Sequence, residues 1–346
     1  ILNVQNKQSN TNVIRKGITT RSQNSALNNV LLKAPANGKE SRVKSWKNIG
    51  YTSNTRTKES SKKNNSYSNK ILHSERLKKK PKPVPRVKPI KKDEEKTEIP
   101  KNWLDPFQVS HYAMDIFNYL KSREHLFPIG DYMERQVCLS PWMRALLVDW
   151  MVEVQESFEL NHETLYLAVK LVDLYLTKVT VVKETLQLLG AASLFIASKY
   201  DERIPPMVED FLYICDGAYK QRALIRMEMS ILKVVDFDLG IPLSYRFLRR
   251  YARVSYQCAK VSMPTLTLAR YILEYSLMDY STIRISDSKI AAAALLLALR
   301  MKDLGGWTST LEYYSGYKVD DIRDIVHLLN QGLHRKETLT TVRNKY

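Results

Sequence analysis

PWMRALLVDWMVEVQESFEL, residues 141–160, decides how this chain is read. Met143, Leu146, Leu147, Trp150 and Val154 recur at i, i+3, i+4, i+7 and i+11, which is a helical period. Ala145, Val148, Met151 and Val152 add apolar surface on the other faces. A helix apolar almost all round belongs at the centre of a bundle. Ser140 suits an N-cap, and Pro141 suits the first helical turn after it. Three charges, Arg144, Asp149 and Glu153, lie inside this helix, and buried charges need partners. Arg144 has Leu147 and Val148 at i+3 and i+4, so its partner must come from another helix. Asp173, in the apolar helix that follows, is the candidate.

The helical period continues outward. It predicts helices over 106–124, 162–178, 184–199, 206–214 and 219–234, then over 244–258, 264–279, 287–301, 308–315 and 318–334. The body, from about residue 104 onward, therefore reads as all-α. It also repeats. Leu165, Leu167, Ala168, Asp173 and Leu176 match Leu266, Leu268, Ala269, Glu274 and Leu277 at one offset, an acid matching an acid. The same offset lays residues 194–199 on 295–300. Two copies of one helical unit explain this, with chance likeness among Leu/Ala-rich helices as the competing explanation. The Ala-rich stretches 191–198 and 291–298 are expected to be the central helices, because small side chains let neighbours approach closely.

Charge divides the chain. The net charge is +18, from 54 Lys+Arg against 36 Asp+Glu. Residues 1–100 hold 24 basic and 7 acidic residues, whereas the remainder holds 30 and 29. A nearly neutral body argues against a fold that grips nucleic acid along a continuous basic face. Residues 1–103 are rich in Asn, Ser, Lys and Thr and poor in large apolar side chains, so disorder is expected. Within them, KKKPKPVPRVKPIKK at 78–92 reads as a nuclear import signal, as a non-specific nucleic-acid attractant, or as a solvated linker. Residue 1 is Ile, so a fragment of a longer chain is expected, and no secretory h-region follows it. The longest apolar run, 290–299, is about half of what spans a bilayer, so no membrane is expected.

Signals of catalysis are sparse. Cys138, Cys215 and Cys258 cannot build a disulfide framework or a Cys-rich zinc site, and a reducing compartment is expected. The six histidines lack metal-ligand spacing, and neither a phosphate-binding glycine loop nor a nucleophile elbow occurs. The reading is a protein without enzyme chemistry, metal or cofactor. The carboxylates of YDERIPPMVED, residues 200–210, are expected to form a solvated loop and a helix start. Lys199 ends one apolar helix and Glu228 lies inside another, RMEMSILKVV. A Lys at a helix C-terminus is favourable on its own. The sharper reading is that the two meet near the surface and offer polar groups to a partner's backbone.

At MRALLVDWMVEV, LNHETLYLAVKLVDLYL, LQLLGAASLFIASKYDE, the following Pro205-Pro206 and RMEMSILKVVDFDL, the chain resembles the cyclin box. As a whole, 105–340 is similar to B-type mitotic cyclins. DFLYICDGAY and FLRRYA make it most similar to their B-three branch. The resemblance implies two tandem five-helix domains, 104–240 with a leading helix and 241–346, after the basic tail 1–103. It implies a non-catalytic subunit that binds and activates a mitotic cyclin-dependent kinase and helps select its substrates in mitosis or meiosis. By resemblance, Lys199 and Glu228 hydrogen-bond the kinase around its regulatory helix, and Tyr200, Ile196, Leu232 and Phe237 form an apolar seat for it. Arg144 and Asp173 form an internal ion pair. Met143, Leu146, Leu147, Trp150, Glu153, Leu186 and Gln187 match a patch that docks Arg-x-Leu segments of substrates and inhibitors. An acid beside an exposed Trp and Leu cluster suits such a ligand, and the alternative is that all seven are core. The family's destruction signal, read by ubiquitin-ligase machinery, is degenerate at Leu27, Asn28 and Asn29, since Asn24 stands where Arg belongs. A nuclear location, with some cytoplasmic presence, follows from the same reading. Two other classes compete: a nucleic-acid-binding factor with paired domains of this kind, and a purely structural helical scaffold.

Overall fold

The computed structural model of the protein describes residues 110–259, 261–335 and 339–346. The tail 1–103, the basic run 78–92 and the Leu27-Asn28-Asn29 segment lie outside the described residues. The described part is built of helices joined by short loops, with no strand among the described residues. A leading helix, α1 (Ala113–Arg123), precedes a first set of five: α2 (Pro141–Ser157), α3 (His162–Lys178), α4 (Lys183–Asp201), α5 (Val208–Ile214) and α6 (Gln221–Val234). The second set is α7 (Ser244–Ala259), α8 (Met263–Ser276), α9 (Asp287–Met301), α10 (Ser309–Ser315) and α11 (Val319–His334), and a short α12 (Thr341–Lys345) follows. Among the described residues, no helix is long and apolar enough to cross a membrane.

The two sets repeat one design. In the first, α4 packs on α2, α3 and α6; in the second, α9 packs on α7, α8 and α11. Ala191, Ala192 and Ala197 of α4 and Ala291 to Ala294 of α9 have no solvent exposure. Their small side chains let these two helices lie at the centres. Gly190 extends the principle: a Cβ there would stand 2.8 Å from Leu147 Cδ1 and 3.4 Å from Trp150 Cζ3. The close approach of α4 to α2 closes over both of those side chains.

Local chemistry sets the helix ends. Ser140 Oγ accepts the Met143 N–H at 3.3 Å, with Pro141 in the first turn. The expected helix 264–279 stops at Ser276. There Asp279 accepts the Ser281 N–H at 2.9 Å and turns the chain into a 3₁₀ segment, Tyr280–Thr282. The carboxylates of 200–210 do more than sit in a solvated loop. Asp210 caps α5 by accepting the Met207 N–H at 2.8 Å. Glu202, at the end of α4, caps α3 by accepting from Asn161 N–H at 2.7 Å and Asn161 Nδ2 at 2.8 Å. Asp201 pairs with Arg246 across the seam between the two sets at 3.4 Å.

Polar bonds hold that seam. Arg144, buried in α2, meets Asp173 of α3 side-on, Nε to Oδ1 and Nη2 to Oδ2 both at 2.7 Å. Its third nitrogen, Nη1, donates to the Leu277 carbonyl of the second set at 2.7 Å. Tyr132, ahead of the first set, donates its hydroxyl to Asp173 Oδ1 at 2.7 Å. Burial works against the charge on Arg144, but Asp173 and Tyr132 outweigh it, and the guanidinium pKa lies above its ordinary value. Lys170 of α3 pairs with Asp287 of α9 at 2.6 Å. The leading helix packs on the second set: Phe117 meets Phe247 and Tyr251 edge-to-face at 5.4 and 5.6 Å. Gln136 fixes the turn between α3 and α4. It donates to the Leu176 and Val179 carbonyls at 2.8 and 2.7 Å and accepts the Val181 N–H at 2.9 Å.

Removing one partner of a buried pair strands the other. Arg144→Ala is expected to destabilise the fold by about 3–5 kcal/mol in urea unfolding, and a loss well under 1 kcal/mol would contradict the role given to Arg144.

Candidate functional site

Two surfaces collect the residues singled out in the sequence. The first lies at the ends of α4 and α6. Lys199 Nζ pairs with Glu228 Oε1 across these helices. It also lies 4.1 Å from the centre of the Phe195 ring, so ring and carboxylate hold the ammonium together. Next to Lys199 in the chain, Tyr200 is 51 % exposed. Ile196, one turn earlier, is buried at 2 % and contributes to the floor of the surface, not to its face. Leu232 is partly buried against the core.

Phe237 is 65 % exposed, and its backbone explains how. The α6 helix ends with the Phe237 N–H bonded back to the Leu232 carbonyl at 2.8 Å, a closure that needs left-handed backbone. Asp236 and Phe237 supply it in succession, at φ 52° and 57°. Glycine usually takes such positions, and other residues are strained there. The structure thus presents an aromatic ring to solvent from a constrained turn just past the end of α6, the helix that carries Glu228. An apolar surface rimmed by opposite charges suits a helix that brings its own polar groups to an apolar contact.

The second surface is on α2, and here the sequence reading needs correction. An exposed Trp and Leu cluster was expected. Trp150 is 1 % exposed and Leu147 is buried with it, because Gly190 lets α4 close over both, and Leu186 of α4 is buried as well. Met143, Leu146, Glu153 and Gln187 are the members that reach solvent, each in part. Glu153 Oε2 is buried and has no hydrogen-bond partner. Burial, then the nearby charges of Asp149 and Glu156, push the Glu153 carboxyl up to about 7. Asp149, one turn before it, is held by Thr341 of α12, which donates through N–H at 3.3 Å and Oγ1 at 2.9 Å. A carboxylate short of partners beside partly exposed Met143 and Leu146 is built to receive a cation next to an apolar side chain.

Sequence reasoning missed several participants. Tyr132 carried no signal, since one hydroxyl in a loop predicts nothing about a partner 41 residues away. Thr341 and Lys345 lie in a helix of five residues, too short for periodicity to reveal. The strained Asp236-Phe237 turn was legible only as the absence of glycine where a helix ends.

Comparison with known proteins agrees with this architecture. The model of the cyclin N-terminal domain matches residues 115–240, and that of the cyclin C-terminal domain matches 242–346. The chain is 68 % identical to G2/mitotic-specific cyclin-B3 of Drosophila melanogaster over 254 residues, 71 % of this chain and 44 % of that protein. It is 54 % identical to the Gallus gallus protein of the same name over 266 residues, 76 % of this chain and 64 % of the other. The matches thus span less than two thirds of the length of these relatives. A solved viral cyclin from herpesvirus saimiri superposes with a TM-score of 0.56 at 26 % identity, covering 64 % of this chain and 97 % of the viral one.

The Glu153 carboxyl makes the second surface measurable. Its carboxyl carbon is expected to titrate by NMR with a midpoint near 7, and a midpoint at 4.5 would contradict the buried, partnerless geometry. Glu153 holds its proton more tightly folded than unfolded. Between pH 4.5 and 7 the folded state therefore binds more protons, and stability falls as pH rises across that window. Glu153→Gln is expected to flatten this fall in thermal unfolding.

Proposed function

On the premise that the chain belongs to the cyclin family, as a B3-type cyclin, we propose that it is the non-catalytic regulatory subunit of a cyclin-dependent protein kinase. The observation that carries this reading is the Lys199–Glu228 pair, with exposed Tyr200 next to Lys199 in the chain and exposed Phe237 just past the end of the helix that bears Glu228. Protein kinases need an ion pair between a Lys and the Glu of a movable helix before phosphoryl transfer proceeds. A subunit raises activity by binding the active position of that helix more tightly than the inactive one. The α4–α6 surface has the parts for this: an apolar floor in Ile196 and Leu232, aromatic rings in Tyr200 and Phe237, and one charge of each sign to bond a helix end.

Substrate selection is proposed for the α2 surface. Partly exposed Met143 and Leu146 offer apolar contact, and Glu153 and Gln187 offer polar groups to an Arg-x-Leu segment, with Leu147, Trp150 and Leu186 packed behind them. An incoming Arg supplies the partner that Glu153 Oε2 lacks. Control of mitotic or meiotic progression, a nuclear location through the basic run 78–92, and turnover through ubiquitin ligases complete the proposal.

Lys199→Ala with Glu228→Ala tests the central claim. The double variant is expected to lose at least tenfold in kinase capture from dividing cells and in histone phosphorylation by the captured complex. Full capture with full phosphorylation would remove the basis of the reading.

A further inference from the structure

Glu274 of α8 has no solvent exposure, yet three groups from two other places meet its carboxylate. His162 Nδ1, from the start of α3, lies 3.2 Å from Oε2. Tyr346 donates its hydroxyl to the same oxygen at 3.0 Å, and Lys345 Nζ pairs with Oε1. The His162 ring is stacked on Tyr245 at 4.9 Å and on Tyr346 at 6.5 Å. Lys345 also donates to Gln155 Oε1 of α2 at 2.5 Å. Four residues earlier, Thr341 holds both oxygens of Asp149, also on α2, and Val342 between them is completely buried.

Residues 339–346 therefore bind α2 of the first set at two points and α8 of the second at one. Of the two points on α2, Asp149 borders the docking surface. Asp149 is one turn before Glu153 and raises its pKa, and Gln155 is two residues after it. The kinase-facing residues lie elsewhere, at the ends of α4 and α6. The segment also controls where the Asp149 charge sits relative to Glu153. Without Thr341, a buried carboxylate beside Glu153 has lost its donors and competes for the same cation.

We propose that residues 339–346 are a strap that fixes the docking helix α2 against the second domain, so that substrate docking depends on this segment while kinase activation does not. The docking half of this statement rests on the function proposed for α2. The strap itself rests on the bonds to Asp149, Gln155 and Glu274.

The test uses the full chain bound to a purified cyclin-dependent kinase, with Thr341→Val plus Lys345→Met as one variant and Glu274→Gln, which keeps side-chain size, as another. Hydrogen exchange at the amides of 148–156 is expected to speed up at least tenfold, with α4 and α6 unchanged within twofold. Binding of a synthetic fluorescent peptide carrying Arg-Ala-Leu is expected to weaken at least fivefold, and phosphorylation of a substrate lacking that motif is expected to stay within twofold. Unchanged exchange in α2, exchange rising in all helices together, or peptide binding retained while α2 loosens would each overturn the strap. If the unaltered protein fails to bind the peptide, the docking reading falls, and the exchange data still decide whether the strap exists.

Discussion

A guanidinium with almost no access to water constrains the rest of this structure. Arg144 sits in a helix apolar on almost every face, and leaving a buried charge unpaired there would cost about 3–5 kcal/mol, a large share of a typical domain's stability. Its nitrogens are shared between Asp173 and the Leu277 carbonyl, and Asp173 in turn takes the Tyr132 hydroxyl. Four separate stretches of chain are thereby set at fixed distances: the approach to the first domain, its first two helices, and the second domain. Helix α2, which carries Glu153, is itself one of the four. The position of that helix is a by-product of satisfying one buried charge.

The internal repeat gives the same slot two solutions. Asp173 and Glu274 stand at equivalent places in the two copies, and both are buried. In the first copy the preceding helix supplies Arg144. The position equivalent to Arg144 in the second copy is Tyr245, which brings no positive charge. The second acid therefore draws its partners from outside its own five-helix set: His162 from the first domain and Lys345 from the end of the described chain. Burial on its own would raise the Glu274 pKa, and His162 and Lys345 reverse this, so the carboxyl lies below its ordinary value. A duplicated helix bundle keeps its acid only where some other segment can neutralise it.

Much of this was legible in the sequence because apolar periodicity and charge in apolar helices are local signals with non-local consequences. The central helices followed from Ala-rich stretches at one offset. The demand of Arg144 for a partner on another helix followed from its apolar i+3 and i+4 neighbours. What escaped had a different physical origin. Trp150 was expected at the surface because its own helix is apolar on every side, and the closure over it depends on Gly190, forty residues on. The capping of α3 by Glu202 escaped because nothing in YDERIPP distinguishes a carboxylate facing water from one facing a neighbouring helix end. The leading helix packs its Phe117 on the second domain, which its place in the sequence beside the first domain does not suggest.

Gln136 carries a consequence for the boundaries of the fold. It lies ahead of the first five-helix set, yet its one amide bonds a carbonyl in the last turn of α3 and a carbonyl and an N–H of the loop that follows. The structural unit is thus larger than the repeat that defines it. A chain begun at Pro141 would contain every helix of the first domain and still lack the template for one of its turns, so the short stretch upstream belongs to the domain as scaffolding.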